Sequence, residues 1–374
     1  MTPKDYEPAR CPMCNRKLID VIYGLPGPEL IEAEDRGEVI LRGCVMPPNP
    51  PHYLCKRCGR EYGGELNRVD FFSDVPVPEG YRVPYSPPNP SPIAPLSDTP
   101  GGAAVTGPIR AHLGSWAAGR GIALNSVSRT LALDDNLYVP LSRASYREFA
   151  EGDGAELGKP GKPGKMHSLH SSSALAVNVF EFWRGRDRAP LAAALELADE
   201  ITGVRFEQKF RTGLPGTGPN LDVVLDLASG ALIAIESKFL EPFGGHVPGF
   251  RWSYFADRND GEWARGGYPA CQALAQRLEW GETRYTWLHA EQLLKHILGL
   301  HRSAGKPWSL LYLYYGVDGP AGAEHTAEVA EFARVVAADG ISFRAMTYQE
   351  LVRGLRAAGA DEEYRTWLKE RYEL

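Results

Sequence analysis

Residues 219–243 read PNLDVVLDLASGALIAIESKFLEPF, and the fold turns on how that stretch is laid out. LDVVLDL and ALIAIESKF are rich in β-branched and large apolar residues, so two strands are predicted, joined by a turn at Ser229 and Gly230. Asp222 stands near the start of the first strand; Glu236, Ser237 and Lys238 close the second. Alternate residues of a strand share a face, so Glu236 and Lys238 project together and Ser237 points away. An antiparallel hairpin then brings Asp222 and Glu236 to the same end. Two carboxylates there suit a hard divalent cation, Mg²⁺ or Mn²⁺, which keeps waters and accepts phosphate oxygens, with the Ser237 carbonyl as a further ligand. Lys238 is placed to orient a water or to offset charge developing on a phosphate. A solvated Glu-Ser-Lys triplet is ordinarily worth only ~0–1 kcal/mol. Here ALIAIE is apolar up to its last residue, so the charges arrive where a buried strand meets a rim.

Working outward, SSSALAVNVFEFW (171–183) and PLAAALELADEI (190–201) carry helical periodicity; in the second, Leu191, Leu195, Leu197 and Ile201 share one side and Pro190 suits a first turn. VRFEQKF (204–210) is a third strand. Helices follow in YPACQALAQRLEW (268–280) and TWLHAEQLLKHILGL (286–300), and WSLLYLYYGV (308–317) reads as a buried strand from its unbroken apolar run. HTAEVAEFARVVAADG forms a helix stopped by Gly340. ISFRAM is a short strand, and Thr347 with Glu350 makes a capping box for the helix TYQELVRGLRAAG. EGDGAELGKPGKPGKMH (151–167) reads as a mobile loop.

The order helix, three strands, helices, strand, together with proline, Asp222 and the Glu236-Ser237-Lys238 triplet, resembles the PD-(D/E)XK superfamily of restriction-endonuclease-like nucleases over residues 170–350. Pro219 stands three residues before the aspartate rather than directly before it. The resemblance implies an α/β fold with an αβββαβ core, Asp222 and Glu236 as Mg²⁺ ligands, and Lys238 as the catalytic lysine. It also implies a further acidic residue near the first core helix. The sequence does not choose among Glu196, Glu200 and Glu181, with Glu207 on the following strand; Glu196 leads, then Glu181. Gln272, and Gln292 with His296 four residues on, resemble polar helix residues that flank such sites, and Gln292 is taken as the site residue. His296 reads more readily as a histidine satisfying buried backbone groups. His167, His170 and Ser171–Ser173 can meet phosphate, although a helix N-cap explains the serines as well. Lys159, Lys162 and Lys165, with Arg251, Arg258 and Arg265, are candidates for a nucleic-acid backbone, or ordinary solvated charges.

Upstream, Cys11-Pro-Met-Cys14 and Cys55-Lys-Arg-Cys58 are two knuckle-like pairs whose four thiolates suit a closed, structural Zn²⁺ site. Cys44 could replace one of these ligands, but its lone placement favours a small buried residue. A redox CxxC is the rival, without the βαβ context it needs. The expected organisation is a zinc-ribbon-like domain at 8–66, a proline-rich linker at 67–108 and a nuclease-like domain at 109–374. The net charge of −6 gives no global basic signature, so a nucleic-acid partner must be argued from local sites. With no apolar run of membrane-spanning length and no leader pattern, no membrane association is expected and the location is read as cytoplasmic. A homodimer is compatible with this reading. Two functions follow as expectations. The first is a metal-dependent nuclease, with DNA as the expected substrate, in restriction, repair or defence. The second is a non-catalytic adaptor that keeps the nuclease scaffold and recognises nucleic acid or protein.

Overall fold

A computed structural model describes residues 11, 17–23, 30, 33–34, 38–42, 53–55, 61–62, 102–152, 155–159, 162–214, 218–244, 249–250, 252–255 and 261–374. The chain divides into two compact units. The first is Met1–Ala94 with Gly249–Gly261 and Gln276–Thr283; the second is Pro95–Pro248 with Glu262–Ala275 and Arg284–Leu374.

In the first unit the described strands are β1 (Ile19–Tyr23), β2 (Val39–Arg42), β3 (Tyr53–Leu54) and β4 (Glu61–Tyr62), in the sheet order β2-β1-β3-β4. Cys11 and Cys55 are buried together with Leu18, against Tyr53 and Tyr62. One cysteine from each sequence pair therefore reaches the same small core. Cys14, Cys44 and Cys58, and the linker up to residue 101, lie outside the described residues.

The second unit opens with α1 (Gly102–Gly119), which begins inside the stretch expected to be linker and carries Pro108 within it. Proline density dominated that expectation, whereas Leu113 and Ala117, both buried, dock the helix. Next come α2 (Arg143–Glu151), short strands β5 (Gly158–Lys159) and β6 (Lys162–Pro163), α3 (Ser172–Phe180) and α4 (Ala189–Ala194). The expected mobile loop is thus partly ordered: β5 and β6 pair antiparallel, and a 3₁₀ turn follows at Lys165–His167. Every residue of α3 from Ser173 to Phe180 is buried. A helix apolar on all sides must be interior. Ser171 caps it by accepting from the Ala174 N–H.

The main sheet contains β7 (Ile201–Lys209), β8 (Asn220–Leu227), β9 (Leu232–Lys238), β10 (Trp308–Tyr314) and β11 (Phe343–Thr347), in the order β11-β10-β9-β8-β7. The first three form an antiparallel meander, and β10 and β11 run parallel to β9. The parallel pairs are bridged by helices, as such pairs require. These are α5 (Glu262–Arg265), α6 (Pro269–Trp280) and α7 (Ala290–Ser303) before β10, and α8 (Pro320–Ala338) before β11. The chain ends with α9 (Tyr348–Ala357), opened by the Thr347/Glu350 capping box, and α10 (Glu362–Tyr372). The fold is α/β. Central β9 is buried along its whole length, which explains its apolar run.

Helix α4 is much shorter than the periodicity of 190–201 suggests. It stops at Ala194, Glu196 adopts a left-handed φ of 55°, and Ile201 is already the first residue of β7. Asp199 explains the break: its carboxylate accepts from the N–H groups of Glu200 and Ser229, tying this turn to the β8–β9 turn. A local side-chain bond of this kind competes with helical continuation.

Candidate metal and catalytic centre

The β8–β9 hairpin closes through Leu227 and Ala231 with Gly230 at φ 85°, a conformation that costs glycine little. Its register, Val223↔Ile235 through Asp226↔Leu232, extends by one residue to set Asp222 opposite Glu236. The Ser237 N–H donates to Asp222 Oδ2 at 2.7 Å, locking the two strand ends together. Lys238 Nζ lies 2.5 Å from Glu236 Oε1. Ser237 faces the other way, its hydroxyl 2.6 Å from the Tyr348 hydroxyl. The alternation read from the sequence is the alternation present.

Two neighbouring strands add to this row. Phe206↔Val223 and Gln208↔Leu221 flank Glu207, which therefore stands opposite Asp222, and Glu236 is in register with Tyr312 on β10. Glu207, Asp222, Glu236 and Tyr312 thus occupy successive strands in one line. Glu207 has φ 51°, an uncommon value for a non-glycine residue within a strand, and its Oε2 accepts from Asn220 Nδ2 at 3.1 Å. From the helix layer, His296 Nε2 comes to 2.8 Å of Glu236 Oε2, off the axis of an aligned hydrogen bond. The Tyr312 hydroxyl meets His325 Nε2 at 3.0 Å, and burial pushes His325 down to about 4, so it is neutral at pH 7.

Electrostatics divides the carboxylates. Burial, then the adjacent Glu236, raise Asp222 well above the usual carboxylate range, against Lys238. Glu236 feels the same burial but is held low by Lys238 and His296. Burial would lower Lys238; Glu236 and Asp222 outweigh it and hold the ammonium charged. Burial takes Glu207 to about 7, aided by Glu156 and Glu236 and opposed by Asn220. Glu156, itself buried, is raised as well, with Ser173 and Lys165 pulling against its burial. Three acidic groups, Glu207, Asp222 and Glu236, are thus gathered at one end of the sheet with one lysine between them, and like charges so close disfavour full ionisation of all three.

Other expected residues are elsewhere. Glu196 is exposed and lines a groove with Arg344, Met346 and Arg353 beside β11, two strands from β9. Glu181 is buried in structural bonds, accepting from the Ser142 N–H and the Ser145 hydroxyl. Glu200 is exposed at the turn before β7. Gln292 is half-buried, and among the described residues its side chain makes no hydrogen bond to Asp222 or Glu236. Gln272 accepts from the Trp263 N–H. Arg265 pairs with Glu262, and Arg251 and Arg258 lie outside the described residues. Sequence reasoning undervalued His296 and Glu207 and passed over Glu156. His296 had a signal: it sits within the apolar run Leu293, Leu294, Ile297, Leu298. Glu207 had none, because its place depends on register across β7 and β8.

A mixed five-stranded α/β sheet with a carboxylate–lysine cluster at one rim defines the class: a scaffold of the restriction-endonuclease-like kind. The chain belongs to the family described as restriction endonuclease associating with ARP, whose model matches residues 118–373. No curated protein and no solved structure matches it. Among the described residues no helix is long and apolar enough to cross a membrane.

Proposed function

We propose that the protein is a metal-dependent nuclease that hydrolyses phosphodiester bonds, with DNA as the substrate, and that Asp222, Glu236 and Lys238 are its centre. The single observation that supports it best is the register that sets Asp222 opposite Glu236 with Lys238 at 2.5 Å from the second carboxylate. Among the described residues no three His, Cys, Asp or Glu side chains form a ready-made metal shell. Two carboxylates side by side are the donors Mg²⁺ or Mn²⁺ takes, since these ions bind carboxylate oxygens and complete their shell with waters and substrate phosphate. The residues therefore fit the ion. Asp222 and Glu236 would hold it, and the Ser237 carbonyl is available beside them. Bound there, the ion supplies charge neutralisation at the phosphate and a more acidic water.

The chain's own groups do the rest. Lys238, kept charged by its two acidic neighbours, is a point charge for the phosphate oxygens or for an attacking hydroxide. His296, 2.8 Å from Glu236 Oε2, is placed to steady that carboxylate, the role an outer partner plays for a metal ligand. Glu207, with its carboxyl near 7, is the group in this row best matched to accept a proton at neutral pH. It takes the place for which Glu196 was the leading candidate. In the first unit, burial of Cys11 with Cys55 in one cluster supports a structural Zn²⁺ held by Cys11, Cys14, Cys55 and Cys58.

The test is incubation of the purified protein with plasmid, single-stranded DNA and RNA, each with and without Mg²⁺. Cleavage that needs the ion and disappears in Asp222→Asn, with folding intact, upholds the reading. Metal-independent binding with no cleavage by the parent protein would replace it with the adaptor.

A further inference from the structure

Beside this centre lies a basic surface that the catalytic reading does not use. Strands β5 and β6 place Lys159 directly across from Lys162, both exposed. Like charges in opposite positions of a strand pair repel. The backbone nonetheless holds them there. A Cβ on Gly158 would come within 2.3 Å of the Gly164 N, and one on Gly164 within 2.1 Å of the Glu156 carbonyl oxygen, so the two glycines are required for the close approach. Met166, fully buried, donates its N–H to the Glu156 carbonyl, and Thr130 donates to the His167 carbonyl. Arg129 Nη1 donates to the Pro163 carbonyl at 2.8 Å. The paired strands β5 and β6 are thus held in place.

More cations converge on it. Lys165 is exposed at its base, and Arg110 of α1 donates to His170 Nε2 at 2.9 Å, so that imidazole is neutral, with Ser168 Oγ 3.2 Å from its Nδ1. Burial and then Arg110 hold the His170 pKa down in agreement with this. Among the described residues only Lys165, of Arg110, Arg129, Lys159, Lys162 and Lys165, reaches a carboxylate, at 3.7 Å from Glu156. On a chain of net charge −6, that is a local excess of positive charge in which one of five cations is offset by a carboxylate. Its position is specific, because Glu156 forms the base of the hairpin and the fields of Glu156 and Lys165 both reach Glu207, the residue across from Asp222.

We infer that Lys159, Lys162 and Lys165, with Arg110 and Arg129, form the track on which the phosphate backbone of duplex DNA lies as it enters the Asp222–Glu236 centre. The inference rests on the nuclease reading for its direction. The recognition itself is ionic: regularly spaced phosphates match an array of cations in excess over carboxylates, and their binding releases counterions.

The test is fluorescence anisotropy of a labelled 20-base-pair duplex with the full chain in EDTA, across a salt series. Lys159→Ala/Lys162→Ala and Arg110→Ala/Arg129→Ala are compared with Arg353→Ala/Arg356→Ala, an exposed pair on α9. Each of the first two is expected to weaken binding about 5- to 50-fold near 0.1 M salt and to flatten the slope of log K against log salt by roughly 1–2. The α9 pair should change neither. The lysine pair is exposed and supports no fold contact, so it stays informative if the arginine pair misfolds. Equal affinity and equal slope in the lysine pair, or no duplex binding by the parent, overturns the track. Cleavage that persists with unaltered binding would leave the nuclease reading standing without this surface. Hairpin-dependent binding without Mg²⁺-dependent cleavage would keep the surface and remove the nuclease.

Discussion

Asp222 and Asp226 sit at opposite ends of strand β8 on one face of the sheet, and their surroundings have opposite signs. Asp226 receives Arg205 through two nitrogens, at 2.7 and 2.9 Å, and Lys306 at 2.8 Å. Its modest burial would raise its pKa, and those three bonds hold it below the usual range instead. Asp222 faces Glu236 and Glu207, has one backbone donor, and is raised. The same residue type in the same strand is satisfied at one end and frustrated at the other. Structural ion pairs look like the first; the second is the pattern that the proposed metal centre calls for.

The sharpest way to break that contrast is Asp222→Asn. Cleavage is expected to fall by about 10²–10⁴-fold, the range for removing a group that acts on the reacting atoms. Stability should move the other way. A carboxyl raised on folding costs stability that grows as pH climbs from its ordinary value near 4 to the raised folded value, and stays constant above it. The variant should therefore melt at or above the parent at pH 8, with the gap closing toward pH 4. A large loss of melting temperature at pH 8 would place Asp222 with Asp226 as a structural residue.

Next in size is the metal response. At a Mg²⁺ or Mn²⁺ concentration near 100 times its Kd, the parent should gain about 2.7 kcal/mol. Asp222→Asn should lose that gain, and Asp226→Asn should keep it. Thermal melts with and without the ion read this directly, with no need for turnover.

Glu207→Gln addresses the third carboxylate. Glu207 is raised to about 7, so the parent is destabilised by this group as pH climbs from about 4.5 to 7, and the cost is constant above that. Because the side chain is partly exposed, an effect of roughly 1–2 kcal/mol is expected rather than the full shift. The variant should gain relative stability from pH 5 to pH 8 in urea melts, and its cleavage rate should lose the acidic limb near pH 7. A rate profile unchanged in shape would remove Glu207 from the chemistry.

The smallest effect belongs to Asp226→Asn. Half-exposed ion pairs contribute little, so a loss of about 0.5–1 kcal/mol with unaltered cleavage is expected. Activity lost without a change in stability would mean that the two ends of β8 do not differ in the way their electrostatics indicates.

Much of the main sheet was legible because local rules and burial agree there. The two strands, the turn at Ser229–Gly230, the capping box at Thr347 and the stop at Gly340 each rest on a few adjacent residues. Sequence was misleading where a tertiary contact outvoted periodicity. Asp199 ends the run that began in α4, which carries Glu196 to the groove beside β11, and Gly158 and Gly164 let two short strands pack closely where composition suggested mobility. The C-terminal helix α10, which buries Tyr364, Leu368 and Tyr372, was not read at all.

By itself the sequence determined that Asp222, Glu236 and Lys238 meet, since strand alternation and a short hairpin leave little freedom over that distance. Only the tertiary structure decided who else joins them. Glu207 enters through the register of β7, and His296 through the packing of α7. Each depends on a separation too long for any sequence period to encode, and is fixed only when the sheet and its helices close on one core.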